Sequence, residues 1–269
     1  MSKNLLEAVE ASSFRCFSTI PGWFEINYNE EYALLVTEKV DYYELNRAGM
    51  IRTTEAKAEE IIREVTKIFK EKNKTSFGWI VGPLTQPKNF AKQLQKFNYQ
   101  LQGTIWGMSK QVTEKIEGLS NSDYLIKSVS LEELKDNKIM KNYERAYGLP
   151  EGTEKKSYPF YKALEERGIK WERLIAYDGE KPIAFGGIIQ VPGTNVGFLM
   201  GGATLAEYRK KGLYGTILKR RLEIAKKWGM TDVIVHGKEK TSAPIIAKHG
   251  FKKISESYYY IWKGKVSSK

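Results

Sequence analysis

The chain has 269 residues, 41% hydrophobic and 12% aromatic, enough apolar material to bury one large core or two smaller ones rather than leave the chain disordered. One cysteine and two histidines exclude an intramolecular disulfide framework, a cysteine-rich zinc site and a multi-histidine metal site. The formal net charge of +12 suits an anionic partner (a polyphosphate cofactor, an acidic substrate or nucleic acid) or simple solubility, and where the charge falls decides between them.

In chain order, the opening residues turn polar before any signal core forms, and no apolar run approaches the roughly 20 residues of a membrane span, so a cytoplasmic location is expected. Cys16 reads as a small buried hydrophobe. Residues 54–72 form a strongly amphipathic helix, with Ala58, Ile61, Ile62, Val65, Ile68 and Phe69 at helical spacing. A strand over 77–81, a short helix over 87–97 and a strand over 99–108 follow. Residues 111–122 read as a linker, giving two domains, 1–115 and 120–269, with a single extended domain as the alternative.

The second half is more legible. A strand over 123–129 leads into Ser130-Leu131-Glu132-Glu133, a capping-box signal, and a helix toward Tyr147 that Gly148 breaks. A helix over 156–167 stops at Gly168. Strands over 172–177, 182–191 and 196–205 are joined by turns at Asp178-Gly179 and Pro192-Gly193-Thr194-Asn195. A long helix over 212–228 places Tyr214, Ile217, Leu218, Leu222 and Ala225 on one face. A strand over 231–236, a short helix over 243–249 and a strand over 251–262 close the chain. A three-strand meander entering a β-α-β crossover predicts a mixed α/β sheet with helices on both faces.

The stretch with most chemical content lies between the third meander strand and the long helix: Ala203, Thr204, then Arg209, Lys210, Lys211, Gly212, Leu213, Tyr214 and Gly215. Three cations at a helix N-terminus oppose the macrodipole, at a cost of roughly 0.3–1 kcal/mol where exposed. An anion between those charges and the free amides removes the conflict, and phosphate fits such a turn best. Gly212 and Gly215 allow a bulky group close to the backbone. A solvated basic helix start is the alternative.

In that context the segment resembles the acyl-CoA pyrophosphate loop of the GNAT superfamily of N-acetyltransferases, Arg/Gln-x-x-Gly-x-Gly/Ala. Arg209 and Gly212 match, whereas Tyr214 stands where Gly or Ala is usual and Gly215 comes one place later. Residues 242–251, ending in Gly250-Phe251, are similar to the short helix and Gly-Phe step of that family. The resemblance covers residues 123–262. Residues 79–87 resemble part of a degenerate second GNAT repeat, as in two-domain bacterial members. That half lacks a glycine-containing loop before its main helix, so one cofactor site is expected.

The resemblance implies acetyl-CoA as donor, its pantetheine arm held along the strand near Ala203 and Thr204, and an acceptor amine, small-molecule or peptide, attacking directly. Many members protonate the departing thiolate with a tyrosine in the short helix; here that position is Ile246. His236 is a weak candidate for proton transfer, with a structural strand-end role as its alternative. His249 reads as a packing residue, and Glu239 and Ser242 lie near the expected cleft mouth without a role. Tyr258, Tyr259 and Tyr260 read most simply as part of the final strand, with alternate residues lining an acceptor pocket as the other reading. Two other classes stay open: a non-catalytic acyl-CoA-binding or interaction module, motivated by the missing tyrosine, and a nucleic-acid-binding protein, suggested by Lys219, Arg220, Arg221, Lys226 and Lys227 and less favoured.

Overall fold

The computed structural model describes residues 3–113 and 124–264; most of the expected linker lies outside the described residues. By its internal contacts the chain divides into two compact units. The first comprises Met1–Gly107, Gly237–Pro244 and Lys253–Lys269, and the second Met108–His236 and Ile245–Lys252.

The first unit begins with helix α1 (Lys3–Ser12) and strands β1 (Phe24–Tyr28), β2 (Ala33–Thr37) and β3 (Arg47–Gly49). Helix α2 (Glu55–Glu71), strand β4 (Gly78–Val81), helix α3 (Phe90–Lys96) and strand β5 (Tyr99–Gln111) follow. Ala58, Ile61, Ile62, Val65 and Phe69 of α2 are buried, as their spacing predicts. They pack on Leu34, Val36, Ala48, Trp79 and Tyr99 in one apolar core. α1 takes the other side: a Cβ on Gly49 would strike the Phe14 ring just beyond it, and one on Gly107 would meet Val9. All five residues of β2 are buried, so it has no polar alternation to announce a strand.

The second unit runs through β6 (Leu125–Val129), α4 (Asn137–Tyr147), α5 (Ser157–Glu166), β7 (Trp171–Asp178), β8 (Lys181–Gln190) and β9 (Val196–Thr204). Helix α6 (Leu213–Lys227), strand β10 (Asp232–Lys238), helix α7 (Ser242–Lys248) and strand β11 (Lys252–Trp262) complete the chain. The capping box forms, Ser130 N donating to Glu133 Oε2 at 2.7 Å and Glu133 N to Ser130 Oγ at 3.4 Å. It starts only a short 3-10 turn over Glu133–Lys135; α4 begins one step later, with Asp136 accepting from Lys138 N at 2.6 Å. Gly148, in the left-handed region, ends α4.

β6, β7, β8 and β9 form an antiparallel meander, and β10 joins β9 in parallel. Neighbouring residues of β8 show what covers each face. A Cβ on Gly186 would lie 2.6 Å from Ile217 of α6, and one on Gly187 would lie 3.3 Å from the Tyr161 hydroxyl of α5. Helices therefore flank both faces, as the β-α-β reading requires.

β11 belongs to the first unit, pairing antiparallel with β4 from Tyr258↔Val81 to Ile261↔Gly78, in the strand order β1-β2-β3-β4-β11-β5. Among the described residues no helix is long and apolar enough to cross a membrane.

Candidate functional site

Between Phe185↔Ala203 and Gly187↔Met200 the β8–β9 ladder advances two residues on β8 and three on β9. β9 therefore carries one extra residue at Gly201-Gly202, and Gly201 takes φ +61°. The bulge coincides with a second change. The parallel ladder from β9 to β10 ends at Leu199↔Val235, while β9 continues to Thr204 with β8 as its partner. Two parallel strands part where a bulge turns the backbone of one of them. Gly202 is exposed there, with Ala203 and Thr204 half-buried beside it.

β9 delivers the chain to a short turn, Ala206–Tyr208, and then to the basic loop. The side chains of Arg209, Lys210 and Lys211 are all exposed. Arg209 Nε donates to the Thr204 carbonyl at 3.2 Å, which folds that side chain back over the strand end. Lys211 Nζ stands 4.7 Å from the centre of the Tyr208 ring. Lys210 has φ +64°, a conformation few non-glycine residues adopt, and Gly212 has φ +77° as the N-cap of α6. Glycine brings no side-chain acceptor to the first amides of α6, and the first turn holds no acidic residue. The helix start is thus an electropositive terminus without an acidic complement of its own, the environment that phosphate oxygens satisfy.

Tyr214, the departure from the GNAT loop pattern, is half-buried where the other core residues of its face are fully buried. Its ring sits under the bulge, Cε2 lying 3.7 Å from where a Cβ on Gly202 would be. It also packs against the His249 ring, centroids 5.5 Å apart, and lies near Arg221. Burial pushes the Tyr214 hydroxyl up in pKa, and Arg221 opposes that rise. Burial draws His249 below the usual histidine range, with Lys110 adding to the effect.

On the opposite face Arg173 of β7, 2% exposed, reaches Glu154 Oε1 at 3.1 Å and the Tyr161 hydroxyl at 3.2 Å, and lies over the Tyr143 ring. Burial works against its charge, but Tyr161, Glu154 and Tyr143 outweigh that and raise its pKa. A Cβ on Gly201 would lie 3.1 Å from Arg173 Nη1 and 3.2 Å from the Tyr143 hydroxyl, so this cluster supports the bulge from below. Nothing in the sequence marks Arg173 as buried; Arg221, in contrast, falls at helical spacing on the apolar face of α6, three residues after Leu218 and four before Ala225.

His236 lies on β10 just past Val235, the last residue of that strand paired with β9, its ring edge-on to Phe198 at 5.3 Å. Ile246 is buried in α7. Glu239 and Ser242 fall in the first unit, Glu239 N donating to Thr104 O at 3.1 Å and Ser242 Oγ accepting from Lys238 N at 2.8 Å. Tyr258 and Tyr260 line a cavity of about 330 Å³ in the first unit, with Val81, Lys88, Leu101 and Glu256. Arg220 pairs with Glu223 and Arg221 is buried, so Lys219-Arg220-Arg221 does not form one free basic face.

In the first unit the segment between β3 and α2 is closed by its own chain. Gln86 N donates to Ile51 O at 3.0 Å and Thr53 N to Gln86 O at 3.2 Å, so residues 85–86 run beside residues 51–53. The α2 start has Glu55 in its first turn, hydrogen-bonded by Asn89 Nδ2 at 2.5 Å. An acidic first turn complements the helix dipole with no exogenous anion.

Residues 137–251 match the model of the acetyltransferase (GNAT) family. No curated protein matches the sequence. Among solved structures, the chain is similar to a GCN5-related N-acetyltransferase from Kribbella flavida, with 13% identity over 98% of this chain and 97% of that one and a TM-score of 0.69. It is similar also to a functionally unknown conserved protein from Staphylococcus epidermidis ATCC 12228, with 16% identity, 92% and 96% coverage and a TM-score of 0.61. A tandem GNAT protein from the clavulanic acid biosynthesis pathway aligns at 10% identity over 97% of this chain and 89% of that one, with a TM-score of 0.62. At these identities the likeness is one of fold. Residues 137–251 thus carry the match to the GNAT acetyltransferase family, and the fold over nearly the whole chain is like that of the tandem GNAT protein.

Proposed function

We propose that the chain transfers an acetyl group from acetyl-CoA to a primary amine by direct attack, using one donor site in the second unit. The observation that carries this reading is the coincidence of three features: the parting of β9 from β10 after Leu199, the bulge at Gly201-Gly202, and the basic, glycine-capped start of α6. In this reading the amides of Gly212, Leu213, Tyr214 and Gly215, with Arg209, Lys210 and Lys211 around them, take the donor pyrophosphate. The strand edge at Ala203 and Thr204 takes the pantetheine arm as an added strand. A bulge amide polarises the thioester carbonyl and stabilises the oxyanion formed on attack. No covalent enzyme intermediate is called for. The closed segment at residues 51–53 supports a single site.

Acetyl-CoA at a hundredfold excess over its dissociation constant stabilises the folded state by about 2.7 kcal/mol, which a thermal-shift measurement reads directly. Gly212→Val places a β-branched residue at φ +77° and should abolish most of that shift. No shift of the unmodified chain at millimolar acetyl-CoA refutes the donor site. The buried Ile246, where a proton donor is common in the family, favours a second reading as a non-catalytic acyl-CoA binder. Thiol release from acetyl-CoA with a panel of primary amines separates the two: binding without release from any amine supports the binder.

A further inference from the structure

Arg221 is 2% exposed and stands two helical turns from Tyr214 on the same face of α6. Its Nε and Nη2 find no hydrogen-bond partner among the described residues, and burial lowers its pKa. The one interaction that opposes this burial is with Tyr214. Arg173, equally buried in the same unit, has the carboxylate of Glu154; Arg221 has a neutral phenol. A guanidinium does not escape by losing its proton, so this cation is held in the interior without a counter-charge.

The local sequence is arranged to admit it. Gly186 is bare where a Cβ would lie 3.2 Å from Arg221 Cζ, and the guanidinium extends to within 4.0 Å of the Cβ position of Gly202, the exposed bulge residue. Tyr214 lies under the same glycine. A phenol beside an uncompensated cation is stabilised most when it becomes a phenolate.

We infer that Tyr214 is the catalytic residue that protonates the departing sulfur, with Arg221 as the counter-charge to the phenolate left behind. This rests on the donor site proposed above. The amine nitrogen bonds to the thioester carbon, the C–S bond breaks with its electron pair going to sulfur, and the Tyr214 hydroxyl proton moves to that sulfur. The proton lost by the attacking amine returns through solvent to the phenolate. The products are an amide and the CoA thiol, and the tyrosine is restored. Tyr214 fills the role that Ile246, three residues before its packing partner His249, leaves vacant.

Such a site favours the CoA thiolate over the thiol, a property measurable without knowing the acceptor. Titration calorimetry of the full chain with CoA and with desulfo-CoA, from about pH 6.5 to about pH 9.5, spans an ordinary thiol pKa of about 8.5. The charged or titratable groups facing Tyr214 are Arg221 on α6 and His249 after α7, the latter with Lys110 beside it. Burial, with Lys110 beside it, moves the titration of His249 down, away from the thiol range. In the unmodified chain, affinity for CoA relative to desulfo-CoA should rise with pH and level off above the free thiol pKa. Tyr214→Phe should cut the rise in the ratio of CoA to desulfo-CoA affinity by about tenfold, the worth of one hydrogen bond to a charged group. Arg221→Met should remove it too, and should raise the melting temperature of the ligand-free chain by relieving an uncompensated charge. This second variant decides the matter if Tyr214→Phe does not fold. A CoA preference independent of pH in the unmodified chain, or one that both variants retain, overturns the inference while the donor site stands. Failure of the unmodified chain to bind either ligand refutes the donor site itself and this inference with it.

Discussion

Two buried arginines in one unit solve the same electrostatic problem in opposite ways. Arg173 has a carboxylate beside it, although its Nε finds no partner among the described residues: Glu154 takes one of its nitrogens, Ser157 Oγ donates to the same carboxylate oxygen at 2.5 Å, and the backbone N of Glu154 donates to Glu144 Oε1 at 2.8 Å. With these bonds made, the pair tolerates its desolvation, but neither partner tolerates loss of the other. Arg173→Leu should therefore destabilise the fold by about 3–5 kcal/mol, read from urea denaturation, because it leaves the buried Glu154 carboxylate with only Lys156, 3.6 Å away, as a cationic partner among the described residues. Combining it with Glu154→Leu should recover most of that loss. If the double variant is as unstable as the single one, the cluster is held by packing around Tyr143 and Tyr161 rather than by charge. Arg173 was not recognisable in the sequence, and Arg221 only by its place on the apolar face of α6, because what a buried charge meets depends on which partners the sheet brings beneath it. Tyr214 was visible only as a departure from the loop pattern; its reason, a ring laid under Gly202 against His249, is tertiary.

Among the elements, those of the second unit were legible because each has a local cause. The long helix expected over 212–228 is Leu213–Lys227, and the three meander strands agree with expectation to within one residue at each end. Their turns carry glycine where a positive φ is needed, at Gly179 and Gly193. α1, β1, β2 and β3 gave no comparable signal. β2 is apolar without alternation, and Arg47-Ala48-Gly49 is a strand only because β2 and β4 flank it. The bulge on β9 was illegible for a related reason: Gly201-Gly202 reads as a flexible pair, and only the register against Phe185 and Gly187 reveals the extra residue. That register constrains β8 as well. Gly186→Ala should cost about 1–3 kcal/mol, because its Cβ meets Ile217 at 2.6 Å and α6 has to shift outward. A melting temperature equal to that of the unmodified chain contradicts so close an approach of α6.

For the molecule as a whole, the sequence suggested two related halves, and the tandem GNAT fold accords with that. Sequence order did not reveal which residues complete each unit. β11, last in the chain, lies between β4 and β5 of the first unit, while β5 leaves that unit after Gly107 and ends in the second. Hydrophobic periodicity identifies a strand but carries no information on which strand it pairs with. Tyr260 and Trp262 contribute to the core beneath α2 and α3, with the Trp262 ring stacked on Phe77 at 5.2 Å. A fragment ending at residue 115 should therefore lack a cooperative unfolding transition by circular dichroism. Adding a peptide of residues 252–264 should restore part of it. A fragment that folds alone as tightly as the full chain would show that β11 is dispensable.

The place of β11 also sets a timetable for biosynthesis. About 150 residues separate Gly107 from the end of β11, and at roughly 5–20 residues per second the ribosome needs on the order of 10–30 s to supply them. During that interval β4 can pair with β3, but its other edge, Gly78-Trp79-Ile80-Val81, has no strand to cover it. An open apolar edge invites pairing with a neighbouring nascent chain. The first half of this protein is thus made early and finished last, and its yield in a cell depends on what shields that edge while the second half is being translated.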